Sequence, residues 1–84
     1  LRTRGSLAKV RALVIGAGGA ARAAVLGLCD EGALVTVANR TEPRGRQLAD
    51  EAECAFEPLP EITSLDRFDL VVNATPLGMG DAEQ

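Results

Sequence analysis

Three short stretches of this sequence combine residue types and spacings that could do chemistry. The first is Gly16-Ala17-Gly18-Gly19-Ala20-Ala21, which fits the pattern G-x-G-x-x-G/A. Stretches rich in alanine and glycine match that pattern by chance, so it gains meaning only between a strand and a helix. In that setting Gly16 permits a tight turn, Gly18 lets the backbone approach a ligand closely, and Ala21 lets helix and strand pack together. The N–H groups of the helix start then face an anion such as a dinucleotide pyrophosphate. The alternative is a close-packed strand–helix turn with no ligand.

The second stretch is Asn39-Arg40-Thr41, with Arg44 shortly after it; Asn39 lies 21 residues beyond Gly18. A domain that binds NAD normally carries an acid at that distance, to accept hydrogen bonds from the adenosine ribose. No acid stands here. A guanidinium at Arg40 or Arg44 suits a 2′-phosphate, which it binds through paired, charge-assisted hydrogen bonds. Arg40 is also able to stack on adenine. Thr41 offers a hydroxyl and a helix cap, whereas Arg46 points elsewhere on a helix and is read as solvated. The third stretch is Val72-Asn73-Ala74-Thr75-Pro76-Leu77-Gly78-Met79, an apolar run that turns polar and stops at a proline. Asn73 and Thr75 either meet a ligand or cap the backbone at a strand end.

The elements that must position these stretches follow from periodicity and breakers. Residues 10–15 form a short apolar run rich in β-branched side chains and read as a buried strand. A helix from Gly18 or Gly19 to about Glu31 follows, with Ala21, Val25 and Leu28 at helical spacing and Gly32 as its stop. Residues 34–39 read as a second strand. A second helix starts at a Thr41 cap, tolerates Pro43 in its first turn and runs to about Glu53, although Gly45 weakens it. Residues 54–57 make a weak third strand, demoted by Pro58 and Pro60. Residues 68–74 make a strong fourth strand ended by Pro76. Such alternation implies right-handed βαβ crossovers. The expected fold class is α/β, a partial doubly wound parallel sheet (Rossmann-like) of about four strands with flanking helices. All three stretches fall after carboxyl ends of strands, where open α/β sheets bind their ligands.

Composition narrows the remaining options. The chain has 84 residues, 46% of them hydrophobic and 2% aromatic, with a net charge of −3. That length allows one domain at most. Residues 1–29 hold five basic groups and no acid, whereas residues 30–84 hold all 12 acids. The basic start is read as a solvated lead-in, since a nucleic-acid surface wants tighter clustering and aromatic partners. No apolar stretch approaches the roughly 20 residues of a membrane span. Cys29 and Cys54 lack metal-ligand spacing and read as small buried apolar side chains. No metal site is expected.

Taken together, GAGGAARA at residues 16–23, NRTxxR at 39–44 and NATPLGM at 73–79 resemble the shikimate dehydrogenase family. The first motif is shared by many oxidoreductases, and the NRT element also recurs in glutamyl-tRNA reductases; the third, combined with the others, makes the likeness specific. The resemblance implies NADP as cofactor. It assigns the pyrophosphate to Gly16, Ala17, Gly18, Gly19, Ala20 and Ala21, and the adenosine 2′-phosphate to Asn39, Arg40, Thr41 and Arg44. Asn73, Ala74, Thr75, Pro76 and Met79 would then pass near the ribose and nicotinamide. Enzymes of this family reduce 3-dehydroshikimate to shikimate with NADPH, using a lysine–aspartate pair in a separate N-terminal domain. Nothing in this sequence matches that pair, so no catalytic residue is assigned. Residues 1–84 are read as an incomplete NADP-binding domain, without the substrate domain or its own C-terminal end, and inactive alone. Expected partners are NADP(H), shikimate or 3-dehydroshikimate held mainly by the other domain, and a fused or contacting enzyme of the same pathway, with no nucleic acid or membrane. The expected location is cytoplasmic, or plastidic in a plant. The alternatives are a related NADP oxidoreductase, such as a quinate/shikimate dehydrogenase or a glutamyl-tRNA reductase, and a nucleotide-binding module without catalysis.

Overall fold

A computed structural model describes residues 7–75. Four strands, β1 (Arg11–Ile15), β2 (Leu34–Asn39), β3 (Ala55–Pro58) and β4 (Leu70–Asn73), alternate with two helices, α1 (Gly19–Asp30) and α2 (Glu42–Ala52). The strands form one parallel sheet in the order β3-β2-β1-β4. The chain steps outward from β1 through α1, β2 and α2 to β3, then returns to the far side of β1 as β4. The direction of winding therefore reverses between β1 and β4. In open α/β sheets that reversal opens the crevice in which ligands sit.

Each helix buries one stripe on the same sheet face. In α1 the buried positions are Ala21 and Val25, with Ala24, Leu28 and Cys29 partly buried beside them; in α2 they are Gly45, Leu48 and Ala49, with Ala52 beside them. These stripes meet Ala12 and Val14 of β1 and Val35 and Val37 of β2, which parallel pairing sets side by side. Val14, Val25 and Val37 are fully buried, each contributing about 1.5–3 kcal/mol relative to exposure. Gly45 would ordinarily weaken a helix by about 1 kcal/mol against alanine. The helix runs through it because Gly45 lies on the buried stripe, where an added Cβ would overlap Cε1 of Phe56. An ion pair between Arg22 and Glu51 ties α1 to α2 on the outside.

Element bounds follow the expectations closely, and the differences have local causes. β1 begins at Arg11 because Lys9 adopts φ 70° and Val10 N–H bonds the Leu7 carbonyl at 2.9 Å, closing a turn. Gly32, at φ 90°, stops the chain just beyond α1. Thr41 occupies the N-cap position of α2, but its side chain makes no capping bond, contrary to expectation. β3 includes Pro58, which costs no ladder bond at the edge of the sheet and leads into a 3-10 turn, Leu59–Glu61. β4 is shorter than expected, since Phe68 and Asp69 belong to the turn that delivers it. Cys29 and Cys54 are free and partly buried. Burial, then the neighbouring Cys29, pushes the Cys54 thiol up to about 11, which leaves it inert near neutrality.

Asp69 fastens the start of β4 to the start of β1. Its carboxylate accepts from Arg11 N at 2.9 Å and from Arg11 Nε and Nη2 at 3.2 Å each, and its own N–H donates to the Arg11 carbonyl at 2.7 Å. The Arg11 guanidinium and N–H hold the Asp69 carboxyl below its usual range. A depressed carboxylate stabilises the fold above its unfolded-state pKa, and the contribution disappears as pH falls through the folded value. Asp69→Asn should therefore lower the thermal midpoint at about pH 7 and match the parent at about pH 2. A gap of equal size at both pH values in scanning calorimetry would show that the charge does not matter.

Candidate functional site

The glycine turn joins β1 to α1 at the crevice. Gly16 is buried at φ 128°, and its N–H donates to the Ala38 carbonyl of β2 at 2.8 Å. A Cβ on Gly16 would come within 3.2 Å of the backbone carbonyl of Ala74 at the end of β4. Both the dihedral and the close approach require glycine here. Gly18 is the N-cap of α1, and neither it nor Gly19 would bring a Cβ within 4 Å of any neighbour. The space next to these two residues is thus a cradle that side chains would fill. The first N–H groups of α1 have no carbonyl a turn earlier to bond. No side chain caps them, and no acid stands in the first turn. Ala17 is partly buried and Ala20 exposed, while Ala21 is fully buried against the sheet, as close helix–strand packing demands.

The second stretch is held by its own hydrogen bonds. Asn39 Nδ2 donates to the Thr41 carbonyl at 2.8 Å, and the same carbonyl accepts Gly45 N–H at 3.2 Å. Arg40 sits between these anchors on an exposed bend, and Arg44 is exposed in the first turn of α2. Four described arginines are paired: Arg11 with Asp69, Arg22 with Glu51, Arg46 with Glu42 and Arg67 with Glu57. Among the described residues Arg40 and Arg44 form no ion pair. Glu42, the acid in the first turn of α2, has its carboxylate engaged by Arg46 Nε at 2.8 Å. Arg46, read from the sequence as solvated, therefore engages a carboxylate that would otherwise compete for the arginine pair and repel a phosphate, while resting 5.1 Å over the Phe56 ring. The i,i+4 spacing of Glu42 and Arg46 was the sequence signal for it.

The third stretch is described as far as Thr75. Ala74 N–H extends the β1–β4 ladder to the Ile15 carbonyl at 2.9 Å. Asn73 Oδ1 accepts from Thr75 N at 3.2 Å and Thr75 Oγ1 at 2.8 Å, so this acceptor caps the strand end. Pro76 and Met79 lie outside the described residues. The other two stretches reach the same edge of the sheet, with the positive end of α1 between them. Such an arrangement suits a ligand carrying a diphosphate and a further phosphate on its other arm. A groove of about 710 Å³ also opens at the opposite edge, lined by residues including Cys29, Leu34, Cys54 and Phe68. It contains no residue of the three stretches and lies at the amino ends of the strands.

Comparison with known proteins agrees with this fold. The sequence profile of the Shikimate / quinate 5-dehydrogenase family matches residues 1–77. The shikimate dehydrogenase (NADP(+)) of Archaeoglobus fulgidus is 53% identical over 73 residues, covering 81% of this chain and 27% of that protein. The crystal structure of shikimate 5-dehydrogenase from Thermus thermophilus, in complex with NADP(H) and shikimate, superposes with a TM-score of 0.68 at 44% identity, covering 76% of this chain and 23% of that one. The glutamyl-tRNA reductase of Methanopyrus kandleri superposes with a TM-score of 0.73 at 36% identity, covering 83% of this chain and 18% of that one. The chain spans about a quarter of the length of the curated relatives it matches.

The two glycines of the turn should respond differently to the same substitution. Gly16→Ala should cost about 1–3 kcal/mol of stability, because it combines a strained dihedral with contact to the Ala74 backbone. Gly18→Ala, at φ −85° with open space around it, should melt close to the parent. Equal midpoints for the two variants in thermal unfolding would remove the assignment of Gly16 as the constrained position.

Proposed function

Because the chain belongs to the shikimate/quinate 5-dehydrogenase family, we propose that it forms the NADP-binding part of an enzyme that reduces 3-dehydroshikimate to shikimate with NADPH. The observation that carries this reading is the pair of arginines without an acidic partner among the described residues, Arg40 and Arg44, beside an uncapped helix start at the crevice of the sheet. The open cradle at Gly18 and Gly19 fits a diphosphate, and its donors are backbone N–H groups. On this reading the pyrophosphate rests on α1, and Arg40, Arg44 and the Thr41 hydroxyl take the adenosine 2′-phosphate. Asn39 holds the bend that presents Arg40. Asn73, Ala74 and Thr75 would face the ribose and nicotinamide side; Pro76 and Met79, assigned to the same side by resemblance, lie outside the described residues. Bound NADPH supplies the hydride. This chain's residues contribute orientation, fixing the cofactor against a substrate held mainly by a separate domain. The proposed location is the cytoplasm, or the plastid in a plant.

The likeness to a glutamyl-tRNA reductase fits a shared cofactor-binding element, which does not itself select the substrate. The family profile, which matches residues 1–77, favours the first reading.

Two substitutions in the intact protein test the assignment. Arg40→Ala should weaken NADP binding by about 1.5–3 kcal/mol and NAD binding much less, since only the extra phosphate takes its charged hydrogen bonds. Equal losses for both cofactors in calorimetric titration would contradict the clamp. Gly18→Val should abolish binding of NADP and NAD alike while circular dichroism stays that of the parent. Unaltered affinity would mean that the turn serves packing only.

A further inference from the structure

We propose that Gly45 and Phe56 form a seat that sets the position of the arginine pair and thereby the preference for the 2′-phosphate. The inference rests on the cofactor reading above and adds two positioning residues to it. Gly45 opens the buried stripe of α2 directly behind Arg44. An added Cβ there would overlap Cε1 of Phe56 and stand 3.0 Å from both Cδ1 of Phe56 and Cβ of Asn39. The first turn of α2 thus lies flat against the ring of β3 and the last side chain of β2. Gly45 N–H also bonds the Thr41 carbonyl that Asn39 Nδ2 holds from below. Any shift of the helix at Gly45 is therefore passed to Thr41, to the bend at Arg40 and to Arg44.

Arg46 also lies over the Phe56 ring, 5.1 Å from its centroid. Arg46 in turn holds Glu42. One ring consequently seats the helix and orders the pair that keeps the Glu42 carboxylate occupied. Charge-assisted hydrogen bonds to a phosphate depend steeply on geometry. A displaced helix start weakens them and leaves contacts to the pyrophosphate, made on α1, unaffected.

The test measures dissociation constants for NADP and for NAD in the intact protein, in Gly45→Ala, in Phe56→Val and in the double variant. Gly45→Ala overfills the seat and should lower the NADP-over-NAD preference about tenfold, the equivalent of one charge-assisted bond. Phe56→Val lacks the Cδ and Cε atoms, underfills the seat and should lower the preference about threefold, a weakened rather than lost bond. In the double variant the smaller side chain on β3 makes room for the added methyl, and the preference should return to within about threefold of the parent. An unchanged preference in either folded single variant overturns the proposal, as does a double variant that loses the product of the two effects. If Gly45→Ala does not fold, Phe56→Val decides alone: a lowered preference supports the seat and an unchanged one rejects it. Arg40→Ala separates this proposal from its premise. If Arg40→Ala leaves the preference intact, the cofactor reading fails; if it lowers the preference while both seat variants do not, only the seat fails.

Discussion

The close approach of the glycine turn to the end of β4 is the constraint on which the rest of the arrangement depends. Gly16 at φ 128° passes so near the Ala74 carbonyl that no other side chain fits without strain. That contact sits where the winding of the sheet reverses, between β1 and β4. A larger residue would press on the Ala74 and Thr75 backbone and disturb the turn from which α1 starts. The same geometry leaves the first N–H groups of α1 without protein acceptors, so packing and anion affinity arise from one turn.

Electrostatics at the second strand end works by the disposal of carboxylates. The chain is acidic overall, with 12 acids against nine basic groups, so a cationic site needs its neighbours neutralised. Glu51, Glu57 and Asp69 each lie below their usual carboxyl range because Arg22, Arg67 and Arg11 bond them. Glu42, the acid nearest the bend, is occupied by Arg46. Exposed pairs of this kind add little to stability, typically under about 1 kcal/mol each. Their consequence here is positional: among the described residues the arginines left without an ion pair, Arg40 and Arg44, both follow the carboxyl end of β2.

Much of this is legible in the sequence, for identifiable reasons. The strands and helices obey their periods, and β2 falls at its expected residues because apolar and β-branched side chains run unbroken from Leu34 to the polar Asn39. That the candidate residues gather at carboxyl ends follows from alternation alone, since parallel strands point the same way. The tertiary use of individual residues is less visible. Gly45 looks like a helix breaker in sequence, and only the approach of Phe56 from β3, eleven positions on, gives the missing side chain a purpose. Thr41 carries the composition of an N-cap, yet its carbonyl, held by Asn39 Nδ2, makes the bonds that its hydroxyl does not. Asn73 suits either a ligand or a strand-end cap by its type alone, and its Oδ1 is used for the second.

The two halves of the candidate site differ in what their donors can distinguish. Backbone N–H groups at Gly18 to Ala21 address a diphosphate through the helix dipole and read nothing beyond it, so they serve any dinucleotide. Discrimination must come from side chains, and side chains discriminate only as well as their backbone is fixed. At residues 39–45 that fixation comes from a carbonyl with two donors and a glycine with no room beside it. Both are interactions of the fold rather than of the ligand. On the proposed reading, cofactor choice in this chain would follow from how α2 is seated on β2 and β3, with the arginines held where the packing beneath them sets them.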